Sequence, residues 1–123
     1  MQDHSTHHYH EPTDRAYVAE IRRAAPEVFA AYRAFDDAIL RAPERVIPRK
    51  YKELMATAVA LTTQCAYCIE SHVGAARKEG ATDEEIAETV FTAAALRAGG
   101  AMGHGLMAFK LLDVAEKSAA ARE

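Results

Sequence analysis

The stretch KELMATAVALTTQCAYCIESHVGAARKEGATDEEI, residues 52–86, holds the only two cysteines of the chain, Cys65 and Cys68, and a histidine, His72, four places after the second. At 100° per residue, positions i, i+3 and i+7 fall within an arc of about 60°, so on a helix both thiols and the imidazole share one face. Residues three apart have Cβ atoms about 5–6 Å from one another, and a modest local adjustment then permits a disulfide. Such a bond closes a very small loop and adds little to folding, which suits a bond that is made and broken. His72, one turn beyond Cys68, is placed to take the thiol proton. The thiolate is the nucleophilic form, and a nearby His⁺ or a helix N-terminus lowers the ordinary thiol pKa of about 8.5. Thr62 or Thr63 is read as the cap that puts Cys65 in the first turn of this helix.

Glu53 lies twelve residues before Cys65. On one straight helix that is a rise of about 18 Å, too far for contact. Glu53 approaches the cysteines only if the chain reverses near residues 62–64 and two helices pack antiparallel. The expected helices on either side of that reversal run over 49–62 and 66–78. After the second, Gly80 suits a helix end. Thr82 with Glu85 three places on is a capping box that opens a further helix.

The rest of the chain reads as helix as well. TDRAYVAEIRRAA begins with a capping-competent Thr13 or Asp14, and Pro26 fits the first turn of the next helix. Pro43 and Pro48 mark a connection. RAGGAMGHG, residues 97–105, carries four glycines and is expected to interrupt the chain before a last helix over 106–119. No segment shows the strict alternation of a strand. The expectation is an all-α single domain of five to six helices over residues 13–123. Residues 1–12, with His4, His7, His8 and His10, read as a flexible polar tail. Abundant alanine favours close helix–helix approach and leaves an apolar face for other copies of the chain.

Composition excludes several classes. Net charge is −3 with histidine neutral, and the sequence pI is about 6.1. Neither nucleic acid nor an anionic membrane is an expected partner. No apolar run approaches the roughly 18 residues of a membrane span, and the N-terminus is no secretory signal. The expected location is cytoplasmic. In a reducing cytosol a Cys-x-x-Cys pair is catalytic or metal-binding rather than a structural staple.

Glu53, Cys65, Cys68, His72, Gly80 and the Glu84-Glu85-Ile86 helix start together resemble the alkylhydroperoxidase D-like branch of the carboxymuconolactone decarboxylase family, over roughly residues 45–110. The resemblance implies an all-α fold, thiol-dependent hydroperoxidase or disulfide reductase activity in antioxidant defence, and trimers or hexamers. It implies that Glu53 and His72 form a proton relay serving Cys65 and Cys68. The substrate would be a hydroperoxide and the reductant an external dithiol or thiol protein, with no cofactor and no metal. One position departs: the branch often has histidine before the second cysteine, where this chain has Tyr67. Tyr67 either shapes the pocket or packs. His104, in the glycine-rich segment, lines the pocket or an interface, or serves only to cap a helix. Two other classes compete. A lactone decarboxylase does not need a vicinal thiol pair. The other is a zinc-binding or purely structural protein; zinc wants four ligands, and Cys65, Cys68 and His72 are three, with His104 as a candidate for the fourth.

Overall fold

The computed structural model describes residues 10–122, so three of the four tail histidines lie outside the described residues. The chain forms a 3-10 turn, Pro12–Tyr17, followed by α1 (Val18–Ala24), α2 (Pro26–Leu40), α3 (Arg49–Thr63), α4 (Ala66–Lys78) and α5 (Asp83–Ala120). No strand occurs among the described residues. The all-α single-domain expectation therefore holds, with five α-helices among the described residues.

α3 and α4 form a tight antiparallel hairpin. Gln64 caps α3 in the left-handed region, at φ 57° and ψ 41°. That single residue turns the chain, and Cys65 N–H donates back to the Ala60 carbonyl at 3.0 Å. α3 runs as far as Thr63 because the hydroxyls of Thr62 and Thr63 bond the Val59 carbonyl inside the helix. Neither threonine caps α4, contrary to the sequence expectation. Cys65 itself is the N-cap, its sulfur accepting from Cys68 N–H at 3.3 Å.

Gly80, at φ 89°, follows the end of α4 in the left-handed conformation that glycine adopts without steric cost. Thr82 and Glu85 then form the expected capping box, with bonds of 3.1 and 3.0 Å. Lys50 at the start of α3 pairs with Glu85 at 2.7 Å, and Arg97 donates to the Thr62 carbonyl near the end of α3. Both pairs are 35 residues apart in sequence, so α5 runs alongside α3 in the same direction. The small core sits between α3, α4 and the start of α5, with Leu54, Ala76 and Ala81 buried and Ile86 packed against them. Ala60 and Ala93 are buried too. Alanine at these positions lets the backbones approach closely.

The structure departs from the sequence reading at two more places. The glycines at 99, 100, 103 and 105 do not break the chain, and α5 is one helix of 38 residues. Isolated glycines cost helix only about 1 kcal/mol each, and the good helix formers around them outweigh that. In addition, α1 does not start at a Thr13 or Asp14 cap. The turn before it starts at Glu11, whose backbone N–H donates to Asp14 Oδ2 at 2.8 Å. His10 and Glu11 are half-buried, so the docked chain begins ahead of residue 13.

Every residue from 94 to 122 is exposed, and α2 buries no residue fully. The chain exposes 10046 Å² in all. A compact monomer of 13.4 kDa is expected to expose about 6,500 Å². Val28, Phe35, Leu106 and Phe109 are each more than 70% exposed. No helix among the described residues is long and apolar enough to cross a membrane.

Candidate redox site

The hairpin brings Glu53, from the second turn of α3, against His72 on α4. Glu53 Oε2 lies 2.7 Å from His72 Nδ1. Glu53 is 1% exposed, one of the two largest fully buried side chains. Its second oxygen, Oε1, accepts from Arg49 Nε at 3.3 Å, and Arg49 reaches on to Glu79 at 3.8 Å. A carboxyl this deep requires such partners, since an unpaired buried acid is costly. The backbone is secured beneath it: Thr57 Oγ1 donates to the Glu53 carbonyl at 2.8 Å.

The consequence for His72 is a choice of tautomer. In the tautomer that donates Nδ1–H to the carboxylate, Nε2 carries the lone pair and is available to accept a proton. Cys68 stands one turn before His72 on the same helix, where i and i+4 side chains meet. Cys65 and Cys68 are joined by a disulfide, S–S 2.04 Å and Cα–Cα 5.2 Å. Both cysteines are half-buried. The two sulfurs have different surroundings. Cys68 is one turn from His72 along α4, whereas Cys65 sits at the positive end of α4, where the helix dipole and an N–H favour negative charge on sulfur.

Of the other residues singled out from the sequence, Tyr67 projects to a 40% exposed position. Its hydroxyl donates to Asp14 Oδ2 at 2.6 Å, and its ring packs on His10 with centroids 4.2 Å apart. The Tyr67 hydrogen bond is the largest reason the Asp14 carboxyl is held below the usual carboxylate range, followed by its bond from the Glu11 backbone. His104 is exposed within α5 and, among the described residues, makes no hydrogen bond or ion pair to the Cys–His–Glu set. No group of three or more His, Cys, Asp or Glu side chains among the described residues is gathered for a metal ion.

Two contributors were missed in the sequence. Arg49 is four residues before Glu53, a spacing at which an ion pair is readable on a helix. Asp14 is 53 residues from Tyr67, and no local pattern announces that pairing. An open cleft of about 580 Å³ adjoins the site, lined by Arg15, Arg49, Ser71, Gly74 and Lys78 among others.

The chain is similar to known proteins over most of its length. Residues 26–111 match the carboxymuconolactone decarboxylase family, and the chain belongs to that family, within which the alkylhydroperoxidase D-like branch falls. It is 39% identical over 102 residues to "Uncharacterized protein 4 in cox locus" of Paracoccus denitrificans, covering 83% of this chain and 90% of that one. Among solved structures it resembles a carboxymuconolactone decarboxylase family protein from Legionella pneumophila, crystallised in apo form. The TM-score there is 0.61 at 30% identity, over 67% of this chain and 71% of that one. A protein from Methanobacterium thermoautotrophicum aligns with TM-score 0.65 at 28% identity, over 72% of this chain and 98% of that one.

Glu53→Ala tests the couple. Removing the buried acid strands His72 and Arg49, and breaking such a pair is expected to lower stability by about 3 kcal/mol. Urea unfolding of the oxidised protein, read as a midpoint shift at constant slope, measures it. A loss under about 1 kcal/mol, the scale of an exposed pair, contradicts the assignment of Glu53 as the anchor of the hairpin.

Proposed function

We propose that this protein is a thiol-dependent hydroperoxidase and disulfide reductase that cycles the Cys65–Cys68 pair, in antioxidant defence. The observation that carries this reading is the 2.7 Å bond between Glu53 and His72, which stands four residues after Cys68 on α4, the spacing at which helical side chains meet. His72 takes the Cys68 proton. The thiolate attacks the distal oxygen of a hydroperoxide, the O–O bond breaks, and the alkoxide leaves as alcohol with the proton that His72 returns. Cys68 is now a sulfenic acid. Cys65, its thiolate favoured at the helix N-terminus, attacks the Cys68 sulfur, hydroxide leaves as water, and the disulfide forms. The balance is one hydroperoxide and two thiols giving one alcohol, one water and one disulfide. An external dithiol or thiol protein restores the pair by exchange.

Copies of the chain associate, as trimers or hexamers, through the exposed faces of α2 and α5. The support is area: the chain exposes about 3,500 Å² more than a compact monomer of its mass, more than the 1,200–2,000 Å² a standard interface buries in total. Apolar residues crowd both faces, among them Tyr32, Phe35 and Ile39 on α2 and Leu106, Phe109 and Leu112 on α5. Light scattering is expected to return three or six times the 13.4 kDa chain mass. A monodisperse monomer contradicts the assembly.

Intact-mass spectrometry tests the chemistry. One equivalent of an organic hydroperoxide added to the reduced protein is expected to remove two hydrogens. Cys65→Ser is expected to prevent that loss and hold a sulfenic acid on Cys68. Sulfenic acid forming on Cys65 in Cys68→Ser at the wild-type rate would reverse the roles of the two sulfurs. No change in mass of the wild-type protein sinks the redox reading.

A further inference from the structure

Residues 41–48 connect α2 to α3, and a pocket of about 90 Å³ lies between that connection, the end of α2 and the first turn of α3. Arg41, Arg45, Arg49 and Lys52 line it, with Leu40 and Ile47 in its apolar walls. No acidic side chain among the described residues lines it. Acids outside the pocket account for two of the four cations. Arg41 pairs with Asp36 at 2.5 Å and Asp37 at 2.8 Å, and Arg49 pairs with Glu53 at 3.3 Å. Arg45 and Lys52 bond only backbone among the described residues: Arg45 Nε donates to the Ala38 carbonyl and Lys52 Nζ to the Ile39 carbonyl. Those carbonyls belong to the last turn of α2, where a cation suits the helix dipole. Capping α2 uses one N–H of each side chain, whereas a guanidinium has five and an ammonium three. Lys52 is 7% exposed, so its remaining N–H groups lie where water is scarce and an acceptor is worth most.

The start of α3 borders the same pocket and adds an independent feature. Its N-cap is Pro48, which makes no side-chain cap bond, and its first turn holds no acid. The N–H groups of Arg49 and Lys50, the first two of the helix, have no carbonyl a turn earlier to bond. The segment RKYK instead sets three cations at the end of the helix where the dipole is already positive. An uncapped helix start of this kind, beside a cavity lined by cations, is matched by a bound anion.

We propose that the pocket between the end of α2 and the start of α3 binds a phosphate group, free or carried on a small ester, with Arg45, Lys52 and the first N–H groups of α3 as its donors. A phosphate carries about two negative charges, which answer the two cations that no acid neutralises. Its several oxygens suit donors that come from more than one element, and an arginine fork binds them in pairs. A cavity of about 90 Å³ takes the phosphate and leaves the rest of an ester outside. The site is independent of the redox reading of Cys65 and Cys68.

The test is a titration of the oxidised full chain with inorganic phosphate at pH 7.5, followed by calorimetry and by the amide spectrum of nitrogen-labelled protein. Sodium chloride holds the ionic strength constant, so that screening does not change along the titration. Saturable binding is expected, with a Kd of about 1 mM or tighter, and with the Arg49 and Lys50 amides among the resonances that move. Acetate is expected to bind about tenfold more weakly, since it offers fewer oxygens and less charge. Lys52→Met takes away a buried bond to α2 and affects folding, so Arg45→Gln, at an exposed position, carries the comparison. It is expected to weaken phosphate about tenfold while the unfolding midpoint without phosphate stays in place. Glycerol 3-phosphate separates the two sources: affinity equal to that of phosphate supports an ester, and binding of the free ion alone supports phosphate itself. No saturation by either, equal affinity for acetate, or phosphate affinity unchanged in Arg45→Gln overturns the proposal. Saturable binding that leaves the Arg49 and Lys50 amides unmoved places the anion elsewhere and overturns it as well.

Discussion

The bond between the buried Glu53 carboxyl and His72 is the constraint around which the rest of the structure is arranged. It lies between two helices, and a buried acid is tolerated only where partners meet it. Everything near it serves that meeting. Gln64 takes a left-handed conformation that reverses the chain in one residue, and the same reversal delivers Cys65 to the N-cap of α4. Alanines at 60 and 76 let α3 and α4 approach closely enough for a carboxyl and an imidazole to touch. Fold and site are thus one feature: a hairpin built any other way would separate the base from the acid that orients it.

Outside this hairpin the chain is sparsely packed on itself. The second half of α5 and most of α2 carry large apolar side chains on open faces, among them Met102 and Met107, which lie outside any core of the single chain. The buried set is small and rich in alanine. The distribution is uneven: Glu53, which anchors the site, is buried, while the large apolar side chains of α2 and α5 are exposed.

Much of this was readable in advance, and the failures are informative. Helix class, the cysteine–histidine face, the Thr82 capping box and Gly80 all depend on spacing within one element, and spacing within an element is local physics. The reversal was readable only as a condition. Glu53 had to reach the cysteines, but nothing in TTQ states that glutamine will adopt a left-handed turn. The glycines of 97–105 misled because their cost was weighed without the long run of helix formers around them. Thr62 and Thr63 misled because a hydroxyl bonds back into its own helix as readily as it caps the next. Asp14 and Tyr67 were each noticed for other reasons, and their pairing spans 53 residues that no periodicity links.

The central claim is that Glu53 and His72 together govern the proton on Cys68. Its most direct measurement is the pH dependence of Cys68 alkylation by iodoacetamide in reduced protein carrying Cys65→Ser. The account predicts that His72→Ala moves the midpoint of that profile upward by about one unit or more, towards an ordinary thiol, and that Glu53→Gln moves it the same way by a smaller amount. A profile that neither substitution shifts would contradict the account.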